Sequence, residues 1–133
     1  MSNNNSEKGN LLILDDAPGI QKILSHYLRD SFNIVIRGDG MEGMNWLEEG
    51  HPVDLVIADL NMPHLGGKEF LQAVRSSSYH RHIPVIILSA ETNSQERIDC
   101  LEKGADAFIQ KPFNPAEVAA EIRAILRRAK VSK

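Results

Sequence analysis

The apolar residues of this chain follow two alternating rhythms. Leu11–Leu14, Ile34-Val35-Ile36, Leu55-Val56-Ile57, Ile83–Leu88 and Ala107-Phe108-Ile109 are short continuous runs bounded by polar or turn-forming residues. Such runs, rich in β-branched side chains and flanked by breakers, predict strands, and Leu55-Val56-Ile57 reads as one buried on both faces. Between them the apolar positions recur at helical spacing: Ile20, Ile23, Leu24, Tyr27 and Leu28; Met44, Trp46 and Leu47; Phe70, Leu71 and Val74; Ile98 and Leu101; Val118, Ile122, Ile125 and Leu126. Strand and helix therefore alternate along the whole chain. That order predicts an α/β fold, a doubly wound five-stranded parallel sheet with helices on both faces and right-handed crossovers.

The punctuation between runs agrees. Asp16 is placed to cap the first helix, with Pro18 in its first turn. Asp39-Gly40 turns into the second helix, and Gly50-His51-Pro52 ends it. A weakly apolar helix from about Ser94 to Lys103 stops at Gly104. Asn114-Pro115-Ala116-Glu117 has the form of an N-cap, a first-turn Pro and a capping-box Glu.

Composition narrows the classes. The 133 residues are 42% hydrophobic and 25% charged, enough for one domain with a real core. Residues 1–10 are polar and predict a disordered lead-in, 11–130 the domain, and 131–133 a tail. A net charge of −3 leaves no electrostatic footprint for nucleic acid or an anionic membrane. Arg123, Arg127, Arg128 and Lys130 read as a solvated helix face or the start of a linker. No apolar run approaches the roughly 20 residues that span a bilayer. Cys100 is the only cysteine, so no internal disulfide forms, which fits a cytoplasmic location. The five histidines show no metal-ligand spacing; His80 and His82, either side of Arg81, read as solvated.

The chemistry gathers at strand ends. Asp15-Asp16 follows the first predicted strand, Asp59 ends the third, Ser89 the fourth, and Lys111 follows the fifth. In a parallel sheet these ends share one edge, where ligands bind in open α/β folds. Clustered carboxylates repel unless a cation sits among them. Oxygen-only ligands on an open edge suit Mg²⁺, which keeps waters and takes one or two carboxylates plus a phosphoryl oxygen. Asp59 is the best-placed nucleophile, since a carboxylate can form an acyl phosphate.

With Asp15-Asp16, Asp59-x-Asn61-Met62-Pro63, Ser89-Ala90 and Lys111-Pro112 in this order, the chain resembles the receiver domain of two-component response regulators from about Leu11 to Arg128. The resemblance implies strand order 2-1-3-4-5, an order for which a member of this family is the standard example. It implies that Asp59 takes a phosphoryl group from a histidine kinase or a phosphotransfer protein. Asp16, Asp59 and the backbone carbonyl of Asn61 would ligate Mg²⁺, with Asp15 acting mainly through a water. Lys111 would pair with Asp59 at rest and with the phosphoryl oxygen afterwards, and its bond to Pro112 would be cis. Ser89 would swing to the phosphoryl group, with Phe108 turning inward behind it and the helix from about Ser94 altered as an output face. Asn61 and Glu91 would govern the hydrolytic water, a pairing seen in chemotaxis-type receivers that reset quickly. Two departures stand out: Gly66 replaces a frequent Asp, which predicts a looser loop, and Phe108 replaces the commoner Tyr.

The expected function is a non-enzymatic phosphoacceptor switch that docks an unknown downstream protein, as a monomer or a weak phosphorylation-dependent dimer. It stands alone or is cut from a longer chain. A haloacid-dehalogenase-like phosphatase is disfavoured because Asn61 stands where that family has a general-acid Asp. A receiver-like domain that works without phosphate is disfavoured by the intact acidic set.

Overall fold

The third strand is the centre of the molecule: it lies in the middle of the sheet and all five of its residues are buried. In the computed structural model, which describes residues 8–131, the elements are β1 Gly9–Leu14, α1 Pro18–Leu28, β2 Phe32–Arg37, α2 Gly40–Glu48, β3 Leu55–Asp59, α3 Gly67–Ser76, β4 Val85–Ser89, α4 Ser94–Glu102, β5 Ala107–Gln110 and α5 Pro115–Val131. The strands form one sheet of order β2-β1-β3-β4-β5 with every pairing parallel. This is the predicted doubly wound order.

The two-residue period of a strand sorts each apolar run onto two faces. Leu12, Leu14, Val56, Ala58, Val85 and Ile87 face one way, onto Trp46 and Leu47 of α2 and Phe70, Leu71 and Val74 of α3. Leu11, Ile13, Leu55, Ile57, Ile86 and Leu88 face the other, onto Leu24 and Leu28 of α1 and Val118, Ile122 and Ile125 of α5. Each fully buried Leu, Ile or Phe contributes about 1.5–3 kcal/mol. The two cores hold the strand ends at a common edge.

Several expectations need correction. β1 begins at Gly9, so Gly9 and Asn10 are strand and not lead-in: Asn10 N–H donates to Asp54 Oδ2 at 2.7 Å, and Asp54 N–H returns to the Asn10 carbonyl at 2.8 Å. Of the rest of the expected lead-in, Lys8 is a bend before β1 and residues 1–7 lie outside the described residues, as do tail residues 132–133, while Val131 belongs to α5. Ala17, not Asp16, is the N-cap of α1. The helix starts one residue later than the capping reading requires, so the Ala17 amide is met by Asp15 Oδ1 at 2.9 Å and Asp16 is left exposed. Asn114 does cap α5, but through the Ala116 amide at 2.9 Å; the Glu117 amide bonds the Asn114 carbonyl and not its side chain, so the capping-box pattern is not made there. In α4 the apolar Ile98 and Leu101 face solvent, 43% and 39% exposed, and Cys100 is the buried residue.

Candidate functional site

Asp15, Asp59, Ser89 and Lys111 reach one rim because β1, β3, β4 and β5 end in register. Ala58 pairs with Leu14, Asp59 with Leu88, and Ser89 with Gln110. Asp59 is thus the last residue of a fully buried strand, and the chain leaves the sheet directly after it. Gly67 returns close beneath: its amide bonds the Leu60 carbonyl at 2.9 Å, and a Cβ there would collide with the Asp59 carbonyl oxygen. Only glycine permits that approach.

Lys111 joins the acids. Its Nζ lies 2.9 Å from Asp59 Oδ1 and 3.2 Å from Asp15 Oδ2. The Lys111 amide donates to the Ser89 carbonyl at 2.7 Å, and the Lys111–Pro112 bond is cis. Asp15 is fully buried, with one oxygen on Ala17 N–H and the other on Lys111. Asp15, Asp16 and Asp59 each offer an oxygen within 4.8 Å of the others. Asp16 opens this cluster to solvent and borders a cleft of about 390 Å³ with Asn61, Met62, Pro63, Gly66 and Glu69.

Charge is in deficit here. Burial raises the Asp59 pKa, and the charges of Asp15 and Asp16 raise it further against the opposing pull of Lys111. Burial lowers that of Lys111, but its bond to Asp59 and the charges of both acids outweigh this and hold it above the ordinary lysine value. Three carboxylates against one ammonium, with only oxygen ligands and an open side, form a donor set that a hard divalent cation fits.

The remaining candidates surround this cluster, and no described contact joins them to its carboxylates. Ser89 is buried, and its Oγ accepts the Glu91 amide at 2.9 Å. Asn61 and Glu91 are exposed on the rim. Phe108 is buried, with the Arg97 guanidinium 5.8 Å from its ring centre and bonded to its carbonyl at 3.1 Å. The loop at Gly66 is tied at several points. Phe70 N–H bonds the Gly66 carbonyl at 2.9 Å, Gly40 N–H the Leu65 carbonyl at 2.9 Å, and His64 Nδ1 lies 2.8 Å from Asp39 Oδ2. His64 escaped the sequence reading because its partner is 25 residues away; its place directly after Pro63, in the loop leaving Asp59, was the available signal.

Comparison with known proteins places these features in a family. The profile described as "Response regulator receiver domain" matches residues 11–123. The response regulator GtcR of Aneurinibacillus migulanus is 44% identical over 120 residues, 90% of this chain and 48% of that protein. The DNA-binding response regulator MtrA of Mycolicibacterium smegmatis is 35% identical over 119 residues, 89% of this chain and 50% of that protein. The chain thus spans about half the length of these curated relatives. A CheY-like receiver domain protein from Methanospirillum hungatei superposes with TM-score 0.87 over 96% of this chain and all of that one; at 23% identity it shows the fold alone.

Proposed function

This chain belongs to the receiver-domain family of two-component response regulators, and on that premise we propose that it is a phosphoacceptor switch in which Asp59 takes a phosphoryl group from a histidine kinase or a phosphotransfer protein. The observation that carries the reading is Lys111 Nζ bridging Asp59 and Asp15 at the strand ends. A single ammonium shared by two buried acids leaves one of them undercompensated, and the exposed side of the cluster is where an incoming anion would arrive.

Asp16, Asp59 and Asn61 would hold Mg²⁺, with Asp15 behind them; when bound, the ion neutralises charge on the carboxylates and on phosphoryl oxygens. The chain's own groups do the rest. An Asp59 carboxylate oxygen attacks phosphorus as the P–N bond of the phosphohistidine breaks, and the imidazole leaves with the electron pair and takes up a proton. Lys111, already at Asp59, passes to a phosphoryl oxygen. Ser89 uses its Oγ as acceptor for the Glu91 amide, so its O–H serves the phosphoryl group. Phe108, buried on β5, turns inward behind Ser89, and with α4 it carries the change outward. Asn61 and Glu91, both exposed over the rim, control the hydrolytic water and with it a fast reset.

The domain from β1 to α5, residues 9–131, forms this signalling unit, which does not turn over a substrate. It is a monomer or a weak phosphorylation-dependent dimer, contacts a downstream protein and not nucleic acid directly, and works in the cytoplasm. Cys100 without a disulfide partner supports that location, and among the described residues no helix is long and apolar enough to cross a membrane. Incubation with Mg²⁺ and acetyl phosphate or phosphoramidate, followed by intact mass, tests the proposal. One phosphoryl adduct on the parent and none on Asp59→Asn is the expected result. An adduct of equal yield on both, or none on the parent with any donor, refutes it.

A further inference from the structure

Pro63, His64 and Leu65 make an unusually tight turn in the loop between Asp59 and α3. The Leu65 amide donates to the Pro63 carbonyl at 2.7 Å, closing a three-residue turn with His64 at its centre, φ 67°. A γ-turn with a left-handed, non-glycine central residue is rare and strained, and persists only where its surroundings impose it.

Two contacts impose it, both from the start of α2. The Gly40 amide donates to the Leu65 carbonyl at 2.9 Å, and glycine is required there because a Cβ would stand 2.5 Å from that oxygen. His64 Nδ1 meets Asp39 Oδ2 at 2.8 Å. Asp39 is the buried N-cap of α2, and its other oxygen accepts the Glu42 amide at 2.9 Å. Its carboxylate is therefore held in place while the His64 ring stands in solvent. The charged groups that act on His64 are Asp39 and Glu42, both acidic and both from this end of α2.

We infer that His64 is a pH-responsive positioning residue, whose protonated ring clamps the loop of Met62–Leu65 to the start of α2 and so holds Asn61 and the cleft rim in place. Its consequence for phosphoryl uptake rests on the reading of Asp59 above; the clamp itself does not. The direction follows from the pair. The hydrogen bond to Asp39 raises the His64 pKa, and the same bond lowers that of Asp39. The charge-assisted part of the clamp is fully present below the unfolded histidine value of 6.5 and is lost as pH rises through the higher folded value. Asp39 stays ionised throughout that window.

Two conservative variants isolate the pair. Asp39→Asn keeps a good helix cap without the charge, and His64→Asn keeps a residue that tolerates positive φ without a titrating ring. By NMR, the parent's His64 should titrate above 6.5 and fall back toward that value in Asp39→Asn. Protection of the Gly40 amide, divided by that in His64→Asn at the same pH, should decline across the titration. With acetyl phosphate and Mg²⁺, the parent-to-variant ratio of uptake rates should fall by about two- to fivefold over the same interval, the range open to a solvent-facing ion pair. A His64 that titrates as a free histidine, or protection and rate ratios flat with pH, overturns the inference. Should neither protein form an adduct while titration and Gly40 protection behave as expected, the clamp stands and the phosphoacceptor reading falls.

Discussion

Helices α3 and α4 lie side by side and are held in place by different forces. α3 buries Phe70, Leu71 and Val74 against the sheet. α4 buries Cys100 alone and turns Ile98 and Leu101 outward. Its ties are polar. Lys68, in the first turn of α3, reaches Glu96 at 2.5 Å and Asp99 at 3.8 Å. Arg97 bonds the Phe108 carbonyl, and Arg75 bonds the Gly104 carbonyl through Nε at 3.1 Å and Nη2 at 2.8 Å. The rim around Asp59 is a third instance of charge holding position. Burial is non-directional and nearly blind to salt and pH, whereas ion pairs respond to both. Elements held by few apolar contacts open at the lowest cost, so α4 is suited to move while α3 stays with the sheet.

The largest effect that separates the two helices comes from truncation of the buried one. Phe70→Ala should cost about 3–5 kcal/mol, because a void opens in a fully packed core. Leu101→Ala should stay within about 0.5 kcal/mol, since its side chain is solvated. Urea unfolding measures both, and equal costs would erase the contrast. Next comes Arg75, which also bonds the carbonyls of Ile83 at 2.7 Å and Arg81 at 3.0 Å and pairs with Asp106 at 3.0 Å. Arg75→Met should lose about 2–3 kcal/mol, as expected for charge-assisted bonds to carbonyls left unpaired, and should speed amide exchange at Gly104 and Ala105 before it does so in α3.

Smaller still is the effect of removing the Asp59 charge. Its folded pKa lies above its ordinary value, so the folded state binds that proton more tightly than the unfolded chain does. Ionised Asp59 therefore costs stability at neutral pH, and the cost is relieved as pH falls through the folded value toward 3.8. Without Mg²⁺, Asp59→Asn should melt at or above the parent at pH 7, and the gap should close as pH drops or as Mg²⁺ is added. Equal melting losses in all three conditions would show that the rim is not a repelling cluster. The smallest effect belongs to Lys68→Gln, about 0.5 kcal/mol for a partly exposed pair. Its signature is local: faster amide exchange in α4, with the parent approaching the variant in molar salt. Exchange in α4 that ignores both the variant and salt would mean that the Lys68 pairs do not hold the helix.

Sequence alone determined the five alternations, the identity of the core strands and the convergence of Asp15, Asp59, Ser89 and Lys111, because period, short apolar runs and strand-end position are local properties that parallel pairing projects onto one edge. Cap register at Asp16 and the outward turn of Ile98 and Leu101 were decided in three dimensions, where one residue of phase depends on which neighbour takes an amide or fills a surface. The His64–Asp39 pair and the Arg75 and Lys68 ties join residues far apart in the chain and carry no periodic mark. Charges can reach across a fold in many ways, and only the packed sheet and helices select which of them meet.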